Sequence, residues 1–249
     1  MTIPEVKSTA HILVTPSYTR AVTGKRAAVR AETIAAIIRL ARRQVETRGA
    51  ANLSLREIAR DLDMASSAIY RYFESRDQLL TVLIIDAFDR VGSVVESADA
   101  SRERTDFIGR WNAIALALRS WALDNRSDYG LVFGTPVPGY EAPDDTVAPA
   151  TRYTDVLIRL LADAHTAGLT APIETPSVKG IVGEYRHVRR AIGIDVPDSM
   201  LLAGLSAWAT LFGAINLEVF GHVDTVFAKP GVHYAALADM VGRQVVGLV

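Results

Sequence analysis

Residues 54–73 read SLREIARDLDMASSAIYRYF. Their spacing predicts two short helices that meet at a tight turn. Ser54 can cap the first helix. Glu57, three residues on, can reach back to the Ser54 N–H, which makes a capping box. Leu55, Ile58, Ala59 and Leu62 recur at helical spacing and give that helix one apolar face. Asp61-Leu62-Asp63 marks the break, because Asp tolerates turn conformations and bonds to nearby backbone. A second helix is expected from about Ala65 or Ser66 through Phe73. The small Ala59 suits the close crossing of two helices. Ser66, Ser67, Tyr70 and Arg71 fall on the polar face of the second helix. Hydroxyls and a guanidinium there can reach base edges and phosphates in a major groove. An ordinary helical hairpin with a solvated polar face fits the same pattern.

Extending the stretch to Leu80 separates the two readings. Ala59 to Leu80, ARDLDMASSAIYRYFESRDQLL, resembles the signature of the tetracycline-repressor (TetR) family of bacterial transcription regulators, A-x-x-L-G-V-S-x-G-x-[LI]-Y-x-[HY]-F-x-[SN]-[KR]-x-x-L-[LI]. Ala59, Leu62, Ile69, Tyr70, Tyr72, Phe73, Ser75, Arg76, Leu79 and Leu80 match it. Asp63 stands where the turn Gly is common, Met64 replaces Val, and Ser67 replaces the second Gly. The resemblance covers about residues 28–85. It implies an all-α protein, a three-helix helix-turn-helix domain followed by a larger helical ligand-binding and dimerisation domain. It also implies a regulator, a repressor released from a palindromic operator by a small, mostly apolar molecule. By that resemblance Ser66, Ser67, Tyr70 and Arg71 are candidates for groove contacts. Ser54, Tyr72, Arg76 and the basic lead-in Lys25/Arg26 are candidates for phosphate contacts.

Charge is distributed to match. The net charge is −1. Residues 1–80 carry 13 Lys+Arg against 8 Asp+Glu, and residues 81–249 carry 14 against 20. A basic front on an acidic back fits a DNA-reading head on a body with another task. There is no Cys, so disulfide and thiolate chemistry are excluded. No signal peptide is legible, and the expected location is cytoplasmic.

The expected division is a disordered tail over 1–24, a helix-turn-helix domain over 25–73 and a ligand-binding and dimerisation domain over 74–249. Ile34, Ile37, Ile38, Ala41 and Val45 stripe a first helix over 27–48, with Gly49 as its stop. Ser75 and Gln78 form a second capping box before a helix that is apolar nearly all round through Ile85. Such a helix suits a connector gripped by both domains. Further helices are expected over 105–124, 147–167, 178–192, 199–217 and 233–246, with an irregular, Pro- and Gly-rich stretch over 129–149. Phe133–Pro143, FGTPVPGYEAP, resembles part of one TetR subgroup that carries a Trp-x-x-x-His-Gly element. Trp208–Gly213 is the matching stretch, with Phe212 where His is usual.

The ligand pocket is expected among the helices beyond residue 75, lined by some of Phe88, Trp111, Trp121, Phe133, Tyr153 and Tyr185, with Asn112 and Arg119 as polar candidates. Residues 199–217, SMLLAGLSAWATLFGAINL, are uncharged and long enough to span a membrane. Their Ser, Thr, Asn and Gly content and the lack of basic flanks favour a helix buried on all sides. With the helix over 233–246 it would pair two copies into a homodimer. The five histidines are scattered, and Glu184-x-x-His187 has no second copy of the kind a di-iron site needs. No metal, no cofactor and no enzymatic motif is expected. A small helical enzyme and a membrane-associated protein are the competing classes. Metal and absorption analysis would bear on the first, and solubility without detergent on the second.

Overall fold

A computed structural model of the chain describes residues 25–174 and 179–249. The tail reading for residues 1–24 lies outside the described residues, as does the side chain of Lys25. Among the described residues the chain forms nine α-helices and no strand. The helices are α1 Lys25–Arg48, α2 Leu55–Asp61, α3 Arg76–Ala100, α4 Phe107–Asp124, α5 Arg126–Phe133, α6 Val147–Thr166, α7 Ile181–Ile192, α8 Asp198–Val219 and α9 Pro230–Met240. The last runs on into a π-turn, Val241–Val246.

Two apolar cores organise these helices. The first gathers Ile37, Ala41 and Val45 of α1 with Ile58 and Ala59 of α2, Ile69, Phe73, and Leu79, Leu80, Leu83 and Ile84 of α3. Gly49 ends α1 with φ 78°, and its N–H donates to the Val45 carbonyl at 2.9 Å. The second core holds Val91 and Val95 of α3 with the inner faces of α4, α6, α8 and α9. The 25-residue α3 therefore enters both cores.

The turn after α2 is tight, as its sequence suggests. Asp63 has φ 54°, the only positive value at a non-glycine among the described residues. Met64 N–H donates to the Ala59 carbonyl at 2.8 Å. The capping of α2 differs from expectation. Ser54 Oγ accepts from Glu57 N–H at 3.4 Å, but the Ser54 N–H donates to Gln44 Oε1 of α1 at 2.9 Å. Glu57 instead pairs with Arg48. A longer side chain from another helix has taken the return half of the box, which ties α2 to α1. At α3, Ser75 Oγ accepts from Gln78 N–H at 3.1 Å, while Gln78 Oε1 accepts from Glu74 N–H at 2.7 Å, one residue early.

Three further expectations are corrected. Residues 65–73 are a chain of turns with one 3₁₀ turn, Ile69–Arg71, in place of a continuous α-helix. Ala68 N–H donates to Ala65 O at 2.7 Å and Tyr72 N–H to Ile69 O at 2.9 Å, which is the tighter i→i+3 pattern. The stretch 129–149 opens inside a helix, since α5 runs to Phe133 before the loop starts. Tyr129, Leu131, Val132 and Phe133 pack inward and supply the stabilisation that local propensity lacks. Finally, α8 is not buried on all sides. Met200, Ala203, Ala207, Leu211 and Ile215 face the body, while Leu205, Trp208 and Leu217 are exposed. It is one helix long and apolar enough to cross a membrane, yet it also carries Glu218, buried and paired with Arg119 of α4.

Arg110 of α4 is wholly buried. Its Nε donates to Asp99 Oδ1 of α3 at 2.7 Å, and its Nη1 donates both to Asp163 Oδ2 of α6 at 3.0 Å and to the Arg104 carbonyl at 3.0 Å. One guanidinium thus joins three helices. Removing one partner of a buried ion pair leaves the remaining charge unpaired, at about 3–5 kcal/mol. Arg104 also pairs with Asp99 at 2.9 Å and with Asp163, so Arg110→Met leaves each carboxylate one cation and is expected to lower the urea-unfolding free energy by less, about 1.5–3 kcal/mol. An unchanged midpoint would show that the cluster is not what joins α3, α4 and α6.

Candidate nucleic-acid interface and ligand cavity

The 3₁₀ turn buries Ile69 and Phe73 in the first core and leaves Ser66, Ser67, Tyr70 and Arg71 exposed together on the other side. All four groove candidates are thus open to solvent. Beside them α2 exposes Arg56 and Arg60, which with Ser54, Asp63, Ala65 and Ser66 line a shallow concavity. The sequence reading missed these two arginines. Their signal was the i, i+4 spacing opposite the Leu55/Ile58/Ala59 stripe.

The expected phosphate candidates do not all join that face. Arg26 is exposed on the first turn of α1. Tyr72 is half-buried, and the Arg30 guanidinium sits 5.0 Å from its ring centroid while donating to the Arg71 carbonyl at 3.1 Å. Arg30 thereby clamps the recognition segment onto α1. Arg76 is turned inward, donating to the carbonyls of Ala50 (3.0 Å) and Ala51 (3.2 Å) in the α1–α2 loop. Ser54 Oγ is the α2 cap described above. Tyr72 and Arg76 thus hold the head together from within, and Ser54 caps α2 at the edge of the concavity.

The second site is an apolar cavity of about 280 Å³ between α4, α6, α7 and α8. Trp111, Leu118, Leu157, Leu161, Trp208 and Phe212 are among its walls. Of the six residues expected to line the ligand pocket, Trp111 alone lines this cavity, while Trp121 borders a separate, open surface pocket with Asp89, Arg90 and Asn125. Phe88, Trp121, Phe133 and Tyr153 converge instead on an aromatic cluster behind Phe212. Phe133 is its hub, with ring centroids 5.9 Å from Phe88, 6.4 Å from Trp121, 5.5 Å from Tyr153 and 5.0 Å from Phe212. Tyr185 is buried on α7 away from the cavity wall. The actual lining is mostly aliphatic and, read as sequence, looks the same as core. Asn112 and Arg119 are committed elsewhere, to Asp239 of α9 at 2.9 Å and Glu218 of α8 at 2.7 Å. The contact with Asn112, followed by that with Arg243, holds the Asp239 carboxyl below the usual carboxylate range.

Two salt-bridged junctions connect these sites. Arg152 of α6 reaches Asp89 Oδ1 at 2.6 Å and Glu96 Oε2 at 2.7 Å, straddling Gly92 of α3. A Cβ at Gly92 would lie 2.9 Å from Arg152 Cβ, so the glycine is what lets α6 lie so close. Nearer the head, Asp86 of α3 pairs with Arg42 of α1 and lies 3.0 Å from Arg90, which also bonds Asn125 Oδ1 at 3.0 Å and pairs with Asp128 of α5.

Burial pushes the phenols of Tyr129, Tyr153 and Tyr234 above the ordinary tyrosine value. A raised folded-state pKa means that their contribution to stability is fully present below about pH 10 and is lost as the pH rises toward that folded value. A spectrophotometric phenolate titration should leave three of the eight tyrosines protonated beyond the ordinary range until the fold is lost. Free titration of all eight in folded protein would contradict this packing.

Similarity to known proteins follows the same division. A family model described as bacterial regulatory proteins, tetR family, matches residues 37–83. A second, described as the tetracyclin repressor-like C-terminal domain, matches residues 111–241. The HTH-type transcriptional regulator Rv1816 of Mycobacterium tuberculosis is 37% identical over 215 residues, 86% of this chain and 92% of that protein. The crystal structure of the regulatory protein SCO4313 is similar with a TM-score of 0.71 at 33% identity, covering 88% of this chain and 98% of the other. A tetR-family protein from Rhodococcus RHA1 shares the fold with a TM-score of 0.59 at 20% identity, covering 88% and 98%.

Proposed function

This chain belongs to the TetR family of bacterial transcriptional regulators, and we propose that two copies of it read a near-palindromic operator and leave it when a small molecule fills the cavity among α4, α6, α7 and α8. The observation that carries the proposal is the face made by Ser66, Ser67, Tyr70 and Arg71, exposed together while Ile69 and Phe73 anchor their turn from behind. Arg56, Arg60 and Arg26 supply phosphate contacts around it.

The dimer is supported by the outer surfaces of the last helices. Leu217 and Phe220 at α8 and Val232 and Met240 at α9 are exposed apolar side chains. The small Ala209 and Gly213 lie exposed among those of α8. Two such helix pairs make a four-helix interface about a two-fold axis. The recognition segments would then enter major grooves about 34 Å apart. A repressor acting in the cytoplasm fits this arrangement.

Release follows from linkage. Thr154, Leu157, Ile158 and Leu161 of α6 face the cavity, and Arg152, on the same helix, grips α3. A ligand that shifts α6 therefore shifts α3, and α3 carries the head. Couplings of this kind amount to about 1–3 kcal/mol.

A salt series of operator binding tests the interface. Tyr70→Ala should cost about 1–3 kcal/mol on the specific site and much less on random DNA. Arg56→Ala and Arg60→Ala should each weaken binding to all sequences and lower the salt slope by about one. Equal losses of Tyr70→Ala on both DNAs, or unchanged slopes for the arginine variants, would contradict the assignment.

A further inference from the structure

The walls of the cavity say what it can hold. Among the described residues that line it none is charged. Its few polar side-chain atoms are committed or weak. Trp111 Nε1 donates to the Ala238 carbonyl at 2.8 Å and Thr154 Oγ1 to the Thr151 carbonyl at 2.7 Å. On α7, Arg189 is paired with Asp198 and turned to the Val196 carbonyl. Phe212 lines the cavity and packs edge-on against Phe133 and tilted against Tyr153, so no imidazole is available there. A carboxylate or phosphate placed in this site would lose its water and meet no cation, a cost of several kcal/mol.

Size narrows the occupant further. A dry apolar cavity of about 150 Å³ accommodates benzene, so 280 Å³ suits a bicyclic or equivalent molecule of about ten to twelve non-hydrogen atoms. The mouth lies between α7 and α8, where Ile192, Leu205 and Trp208 are each more than a third exposed. An apolar molecule therefore meets apolar side chains from entry to floor.

Resting on the reading of this cavity as the effector site, we infer that its ligand is an uncharged, hydrocarbon-rich molecule of about ten to twelve non-hydrogen atoms, and that carboxylates, phosphates and coenzyme A esters are excluded by the walls. Specificity here comes from the absence of any counter-ion, a discrimination against charged analogues.

Two of the three tryptophans, Trp111 and Trp208, line the cavity, so intrinsic fluorescence of the full-length dimer reports occupancy. The probes are 1-methylnaphthalene and its near-isostere 1-naphthoate, each titrated against free protein and against the protein–operator complex. The wild type should bind the neutral probe at least about 100-fold more tightly, and only that probe should release DNA. Leu205→Arg places a cation at a half-exposed position of the mouth and should bring the naphthoate affinity up by tenfold or more while weakening the neutral probe. Thr154→Lys does the same from α6 if the first variant folds poorly. Wild-type binding of 1-naphthoate as tight as or tighter than 1-methylnaphthalene would overturn the inference and leave the cavity as the effector site. A neutral probe whose affinity ignores both cationic variants binds elsewhere and overturns it too. No change of fluorescence or of DNA release with either probe would overturn the cavity reading itself.

Discussion

One helix, α3, is shared between two cores, and the rest of the molecule depends on that sharing. Leu79, Leu80, Leu83 and Ile84 are buried in the head and Val91 and Val95 in the body. Each such side chain contributes about 1.5–3 kcal/mol on burial. Neither half of α3 can let go of its core without losing several of these contributions at once. No glycine or proline with an unfavourable conformation interrupts it. The one glycine inside, Gly92, is there to admit α6, and Arg152 closes over it onto Asp89 and Glu96. The bond to Glu96, above all, raises the Arg152 guanidinium above the ordinary arginine value.

The head is built to present rather than to flex. Its recognition segment is too short and too tightly wound to be stable alone. Ile69 and Phe73 fasten it from below, Arg30 clamps it from α1, and Met64 closes the turn onto Ala59. Asp63 accepts a left-handed conformation there, in which residues other than Gly, Asn and Asp are uncommon. Arg76 stitches α3 to the α1–α2 loop. What remains free to touch another molecule is the outward face, with its hydroxyls, Tyr70 and arginines.

Much of this was legible from residue types alone. The hairpin, the connector, the two-part charge distribution and most helix spans follow from apolar spacing and capping residues, which act locally. The failures have a common cause, namely partners distant in sequence. Nothing near Ser54 announces that Gln44 will take its N–H. Nothing in 129–149 shows that Tyr129 and Phe133 will find an aromatic cluster and prolong a helix. The cavity was the least legible feature. Aromatic residues were expected to line it, yet Phe88, Trp121, Phe133 and Tyr153 fill space around one another, and aliphatic side chains indistinguishable from core surround the void. Whether Leu157 meets another side chain or empty space is decided by the spacing of four helices, which no local pattern records. Arg76 shows the converse. A basic residue at a helix N-terminus next to a DNA-reading turn reads as a phosphate contact, and its guanidinium is spent on loop carbonyls.

The central claim is that α3 carries a displacement from the cavity to the recognition face. The chain has no cysteine, so Ala35→Cys, exposed on α1, takes a single spin label per subunit and permits a distance measurement between the two heads of the proposed dimer. Saturation with 1-methylnaphthalene should shift that distance distribution away from the one found on operator DNA. A distribution that stays unchanged at ligand concentrations that release the operator would contradict the account, since the heads would then part from DNA without α3 having moved them.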